Sequence, residues 1–340
     1  MYNFRNDYSH GAHPSVLKAI EDTNMEGIIG YGSDAYCARA AEKILAECKA
    51  PDAHVEFMIG GTQTNVVAIA AVLRPWESVI CAETGHINGH EAGAPEAAGH
   101  KLIALPVEAD GKLRPEQIPP IMEKHEDVHL TKPRFVYISQ ATENGTVYTK
   151  AELKALSEVC RKYGLFLFVD GARLGVALTS PACDMTMADL AEYADAFYVG
   201  GTKNGALMGE ALVMINEEIR KDFFRIKKQM FAVLAKGWLL GCQFDALFTD
   251  GLYWKLGRHA NEMAQKLQNG LKELGWELMV ESTTNQIFPI IPNTMMDRMR
   301  ELVQFEVWGP VDNERTIIRF VCGFGTKEED VDGLLQALKA

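Results

Sequence analysis

Seven short apolar runs constrain this sequence more than any other feature. They are HVEFMIGG (54–61), SVICAET (78–84), HKLIALPV (100–107), RFVYISQ (134–140), GLFLFVDGAR (164–173), DAFYVGGT (195–202) and EALVMIN (210–216). Several are apolar at consecutive rather than alternate positions, the pattern of strands covered on both faces, as in a mostly parallel sheet. Helical spacing fills most of the gaps. Residues 149–164, TKAELKALSEVCRKYG, open on a threonine and stop at a glycine, the signals of a helix. The last two runs lie too close together for a helical crossover, so one of them is expected to be antiparallel. The pattern predicts an α/β fold: three layers around a mostly parallel, seven-stranded sheet.

After residue 216 the texture changes. Residues 217–270 read as mostly helical. The segments GWELMVESTTNQIFPIIP and IIRFVCGFGTKEEDVDGLLQALKA then predict a smaller C-terminal α+β domain of two or three strands with closing helices. A chain of 340 residues accommodates both units. We divide it into residues 1–245, an N-terminal arm with the large domain, and residues 246–340, the small domain, joined by a continuous helix near 240–270.

The bulk numbers exclude several partners. A formal net charge of −12 argues against nucleic acid and anionic membranes. No apolar run reaches the roughly 18 residues of a membrane helix. The polar start, MYNFRNDYSHGAHPS, has no apolar signal core. Seven widely spaced cysteines without a CxxC pair read as reduced thiols of a cytoplasmic protein, with no metal cluster.

In open α/β sheets, ligands bind at the carboxyl ends of the strands. After the first run comes Gly60-Gly61-Thr62-Gln63-Thr64-Asn65, leading into an apolar helix. Small residues at a helix start expose N–H groups and suit a phosphate; the same stretch also serves as an ordinary capped helix. It lacks the GxxxxGK[ST] and GxGxxG spacings of nucleotide sites. After the second run come His86, His90 and His100 in a glycine-rich stretch without HExxH. His90 and His100 read as solvated or hydrogen-bonded histidines, and His86 lies nearest a strand end. Asp170 ends five apolar residues, a costly place for an acid without a partner. It is either paired locally with Arg173 or aimed at a protonated ring nitrogen. Lys203 follows the sixth run in GGTKNG. A phosphate cradle, an acid, a ring-facing histidine and a lysine are what pyridoxal phosphate requires. The glycines flanking Lys203 read as leaving room for a flat ligand.

The motifs FRNDYS (4–9), GYGSDAYCARAAEKI (30–44), GGTQTN (60–65), ETGHINGHEAGAPEAAGHK (83–101), FVDGARLG (168–175), GGTKNGALMGEA (200–211) and IIRFVCGFGT (317–326) carry a resemblance over essentially the whole chain. The sequence resembles the threonine aldolase branch of the β-eliminating lyase family, pyridoxal 5'-phosphate enzymes of the aspartate-aminotransferase-like fold (fold type I). The resemblance implies that Lys203 bonds the cofactor, Asp170 faces its ring nitrogen and His86 stacks on the ring. Gly61 and Thr62 would hold the phosphate, with Thr202 adding a hydroxyl. Arg173 and Arg319 resemble the clamp on the substrate carboxylate, with Asn6 close to it. Tyr36 and one lysine, Lys228 or Lys236, resemble groups entering from a neighbouring subunit of a dimer or tetramer. Where the family commonly has a histidine after the fourth strand, Glu143 stands at about that position. The implied reaction is aldol cleavage of a β-hydroxy-α-amino acid, such as L-threonine or L-allo-threonine, to glycine and an aldehyde. The base would be His86, directly or through water, or Glu143. The alternative is a β-eliminating lyase acting on another amino acid with the same cofactor.

Overall fold

All seven apolar runs become strands of one sheet in the computed structural model, which describes residues 1–339. They are β1 (His54–Met58), β2 (Glu77–Ala82), β3 (Lys101–Leu105), β4 (Lys132–Ser139), β5 (Phe166–Asp170), β6 (Ala196–Gly200) and β7 (Glu210–Met214). Their order is β1-β7-β6-β5-β4-β2-β3. β7 runs antiparallel to both its neighbours, and every other pair is parallel. The short β6–β7 link therefore does what its length predicted.

Consecutive apolar residues are used on alternate faces. Phe197, Val199 and Val213 belong to the apolar cluster on one side, and Phe168, Tyr198 and Leu212 to the cluster on the other. Both faces are thus covered, which is why β2, β5, β6 and β7 are buried along their whole length. The covering helices include α1 (Ala35–Cys48), α2 (Gly61–Val72) and α3 (Lys150–Tyr163). Thr149 and Glu152 form a reciprocal capping box at the start of α3, and Gly164 ends it at φ 65°.

The expected single helix near 240–270 is two helices, α4 (Trp238–Leu247) and α5 (Leu252–Glu273). Asp250 and Gly251 both adopt left-handed backbone, at φ 52° and 67°, and a right-handed helix cannot continue through them. Beyond α5 lies an antiparallel sheet of five short strands, Glu277–Leu278, Gln286–Ile287, Pro289–Pro292, Glu306–Pro310 and Arg315–Val321. The N-terminal arm packs here. Tyr2 and Asn3 pair in parallel with Val303 and Gln304, and buried Phe4 meets Phe320 edge to face. That anchorage delivers Asn6, Asp7 and Tyr8 to the gap between the two sheets.

α5 crosses the turn that follows β5 at very short range. A Cβ at Gly257 would strike the Gly175 carbonyl and lie 2.9 Å from the Val176 nitrogen. Gly257→Ala is expected to cost about 1–3 kcal/mol by overpacking. The cofactor-free protein should then melt several degrees lower. An unchanged melting temperature would show that the contact yields freely.

Candidate active site

Asp170, at the end of β5, is buried and accepts four hydrogen bonds. Oδ1 takes the Tyr198 hydroxyl at 2.6 Å and the Ala172 amide at 2.9 Å. Oδ2 takes the Tyr137 hydroxyl and the Asn65 amide, the latter at 3.0 Å. The expected local pair with Arg173 does not form. The partners come instead from the flanking strands β4 and β6 and from α2. Burial, followed by the charge of Asp170, raises both tyrosines well above their ordinary pKa, so they stay donors.

Asn65 extends this network. Its Nδ2 also donates to Glu91 Oε1 at 2.7 Å, and the same oxygen meets His86 Nδ1 at 2.8 Å. Glu91 has a fully buried side chain and holds the His86 ring in place. From the sequence alone it reads as one more acid in a glycine-rich loop. Glu143, the other expected base, accepts the His86 amide at 2.9 Å and the Ser139 hydroxyl at 2.6 Å on one oxygen. Burial raises its pKa. His100 is buried rather than solvated.

Lys203 sits in the turn between β6 and β7 and makes no hydrogen bond among the described residues. Burial, then the charge of Arg173, holds its pKa below the ordinary lysine value. The adjoining glycines serve tight packing and not open space. A Cβ at Gly201 would lie 2.6 Å from the Gly209 carbonyl oxygen and 2.7 Å from the Phe244 ring, and one at Gly200 would strike the Ala172 carbonyl. The turn is pinned by Gly201 N–H donating to Glu210 Oε2 at 2.9 Å and by Asn204 donating to the Tyr253 carbonyl at 2.9 Å. Glu210 is buried, and burial raises its pKa to about 7.

Arg173 donates through Nε and Nη2 to Asp7 at 2.7 and 3.0 Å, a bidentate pair that leaves Nη1 without a protein partner among the described residues. Burial opposes ionisation of Asp7, but Arg173 and Lys203 outweigh it and hold the carboxyl below its ordinary range. Arg319 is less well served. Nη1 reaches Gln286 Oε1 at 3.3 Å, Nε is buried with no partner, and the guanidinium lies 5.0 Å from the Trp308 ring centre. Burial, then Arg173, lowers its pKa to about 10. A half-buried cation without a paired anion is a candidate carboxylate site. Arg319 lines a cavity of about 380 Å³ with Tyr8, His90, Glu306, Val307 and Trp308. Lys203 Nζ is 6.0 Å from the Tyr8 ring centre, so lysine and cavity are neighbours.

α2 begins at Gly61 behind Gly60, with no side-chain cap, so its first amides remain available. Thr62 is exposed at this end. A Cβ at Gly61 would lie 3.1 Å from the Tyr198 hydroxyl, which places this helix start one side chain from Asp170. Thr202 closes its own turn, accepting the Gly209 amide at 3.0 Å. The remaining expected residues are not gathered here. Asn6 accepts from the Tyr8 amide at 3.0 Å and the Ser9 hydroxyl at 2.8 Å. Tyr36 donates to Glu26 at 2.9 Å, exposed Lys228 lies over the Tyr31 ring, and Lys236 is exposed.

The donor set fits pyridoxal phosphate. It offers an unpartnered, desolvated amine, a carboxylate fixed across from it, an imidazole locked by a buried acid, and free amides at a helix start. Comparisons with known proteins agree. Residues 4–293 match the family described as beta-eliminating lyase. The chain is 35% identical over 347 residues to the low specificity L-threonine aldolase of a Pseudomonas species, covering 99% of this chain and 97% of that one. A solved structure of Leishmania major threonine aldolase superposes with a TM-score of 0.98 at 44% identity, covering 100% of this chain and 99% of the other. Aspartate aminotransferase from Thermus thermophilus shares the fold, with a TM-score of 0.74 at 14% identity over 99% of this chain and 91% of that one.

Glu210 generates a test with a definite sign. Its pKa is about 7 folded against an ordinary 4.5, so the folded state binds a proton more tightly than the unfolded one. That contribution is fully present below pH 4.5 and is lost as pH rises through 7. Glu210→Gln keeps an acceptor for the Gly201 amide and removes the titration. In denaturant unfolding of the cofactor-free protein, the variant should gain on the wild type between those limits. A stability difference that ignores pH would refute the assignment.

Proposed function

Because the chain belongs to the β-eliminating lyase family, we propose that it cleaves β-hydroxy-α-amino acids of the threonine type to glycine and an aldehyde. The observation that carries the reading is the company Lys203 keeps: a desolvated amine beside a cavity whose half-buried Arg319 is paired with no anion among the described residues.

Lys203 would bond the aldehyde carbon of pyridoxal phosphate, Asp170 would face its ring nitrogen and His86 its ring. Gly61, Thr62 and the first amides of α2 would hold the phosphate, with Thr202 beside them. When bound, the cofactor supplies an electron sink conjugated to the substrate Cα. The chain's own residues do the rest. Arg319, with the free Nη1 of Arg173, binds the substrate carboxylate as a fork binds two oxygens. Fixing that carboxylate fixes rotation about the bonds to Cα, which decides the bond that breaks. Glu91 keeps His86 from turning out of register, and Tyr137, Tyr198 and Asn65 do the same for Asp170. The lowered pKa of Lys203 raises its neutral, reactive fraction at neutral pH.

We also assign Tyr36, Asn6 and Lys228 to a site completed between copies of the chain, Lys228 reaching a neighbour's phosphate. Large apolar side chains near Lys228 and Tyr36 stand in solvent: Phe231 is 92% exposed, Met25 91% and Ile29 70%. Such a patch is more than a monomer needs and supports a dimer or tetramer. Seven unpaired cysteines are compatible with a reducing, cytoplasmic setting.

The purified enzyme, given L-threonine or L-allo-threonine, should release glycine and acetaldehyde; pyruvate and ammonia as products would overturn the reading. Lys203→Ala should lose both the visible absorbance of the bound cofactor and all turnover, and a variant keeping either would unseat Lys203. Phe231→Asp should weaken self-association in sedimentation, and an unaltered assembly would place the interface elsewhere.

A further inference from the structure

The β-hydroxyl proton of the substrate needs an acceptor, and neither expected one lines the Arg319 cavity. His86 is held at Nδ1 by Glu91, with Nε2 left free among the described residues, and Glu143 is buried and bonded to the His86 backbone; both stand outside the lining of that cavity. Another imidazole is in the cavity. His90 follows the short turn His86–Gly89, its backbone N–H donating to the His86 carbonyl at 2.9 Å. Its ring lies 5.6 Å from the His86 ring and 6.3 Å from Trp308, centre to centre. It shares the cavity with Arg319 and Tyr8. Among the described residues nothing hydrogen-bonds the His90 ring, so both nitrogens are free for a ligand.

We propose that His90 is a catalytic residue: the imidazole at the mouth of the Arg319 cavity that accepts the β-hydroxyl proton as the Cα–Cβ bond breaks. This rests on the aldolase reading and adds the base to it. The balance is simple. The O–H bond breaks toward a His90 nitrogen, and the oxygen's electron pair becomes the second C–O bond of the aldehyde. The Cα–Cβ pair stays on Cα, where conjugation with the bound pyridoxal phosphate accepts it. The imidazolium then gives its proton to solvent through the open cavity.

Three observations support this placement. A carboxylate held by Arg319 would put the substrate's β-carbon in the same cavity that His90 and Trp308 wall. The ring is reachable by water, which a base that must reset every turnover requires. Burial, then the charges of His86, Arg319 and Lys203, lowers the His90 pKa, so the ring is neutral and able to accept at neutral pH. The cation of Arg319 thus serves twice, as anchor for the substrate and as a reason for His90 to stay unprotonated.

The test separates proton removal at the hydroxyl from everything else. Glycine has no hydroxyl, so its binding, by calorimetry, and its α-proton exchange with deuterated solvent report on the site without His90's step. In His90→Asn and His90→Phe holoenzymes, glycine affinity and exchange should stay within roughly two-fold of wild type. Cleavage of threonine should fall by about 10²–10⁴. His90→Phe keeps a ring against His86 and Trp308, so equal losses in both variants exclude a stacking role. Cleavage near the wild-type rate in either variant, or exchange falling in step with cleavage, overturns the proposal. A wild type that exchanges glycine but cleaves nothing sinks the aldolase reading itself, and the inference with it.

Discussion

A carboxylate at the end of a buried strand is the constraint around which this site is organised. Asp170 cannot be left bare in an apolar sheet, and each donor it recruits ties another element to the same point. Tyr137 commits β4, Tyr198 commits β6 and Asn65 commits α2. The parallel register makes this possible: Ser139 is paired with Asp170, and Phe168 and Val169 with Ala196 and Phe197, which brings Tyr198 level with Asp170. Through Asn65 the same network passes to Glu91 and on to His86. The position of the His86 imidazole is therefore tied to that of the Asp170 carboxylate. Asp170 itself is fully partnered, while Asn65 Oδ1 and Glu91 Oε2 are buried without a protein partner among the described residues.

The second half of the site has the opposite character. Asp7, Arg173, Lys203 and Arg319 lie within each other's influence, and only Asp7 and Arg173 are well paired. Arg319 lacks a counter-ion, and Lys203 gives up some of its basicity. Under the proposed function that imbalance is a binding device: an incoming carboxylate would complete Arg319 and change the field at Lys203 and His90 together. The arm matters here because Asp7 arrives only by way of Phe4, seated in the small domain's core. Small-domain packing thus decides where the large-domain Arg173 points.

Much of this was legible in the residues. Consecutive apolar runs gave the strands, their spacing gave the antiparallel one, and strand-end positions gave Asp170 and Lys203. What escaped were partners contributed from far along the chain. Asn65 reads as a helix residue, yet its amide meets an acid 105 positions away. Asp7 meets Arg173 across 166 positions. Glu91 stands only five residues from His86, but a glycine-rich loop announces no burial. His90 reads as a surface histidine, and it is exposed; its importance comes from Arg319 and Trp308, which a separate domain brings opposite it. Periodicity encodes which face is buried, and it does not encode what two faces from different domains will share.

The glycines around Lys203 show why that distinction has mechanistic weight. From sequence, glycine beside a ligand-bonding lysine reads as room. In the fold, Gly200 and Gly201 have none, because the backbones of the Asp170 turn and the Lys203 turn run against each other and against Phe244. Both turns are thereby locked to the sheet. Under the proposed function Lys203 would leave and rejoin a cofactor carbon at every turnover, which is served best if only its side chain moves. Its return then needs no backbone search, and the entropy of placing it has been met once, at folding. Tight packing around the lysine's turn and a cavity beside its side chain are two parts of one arrangement, in which the backbone is held and motion is left to side chains.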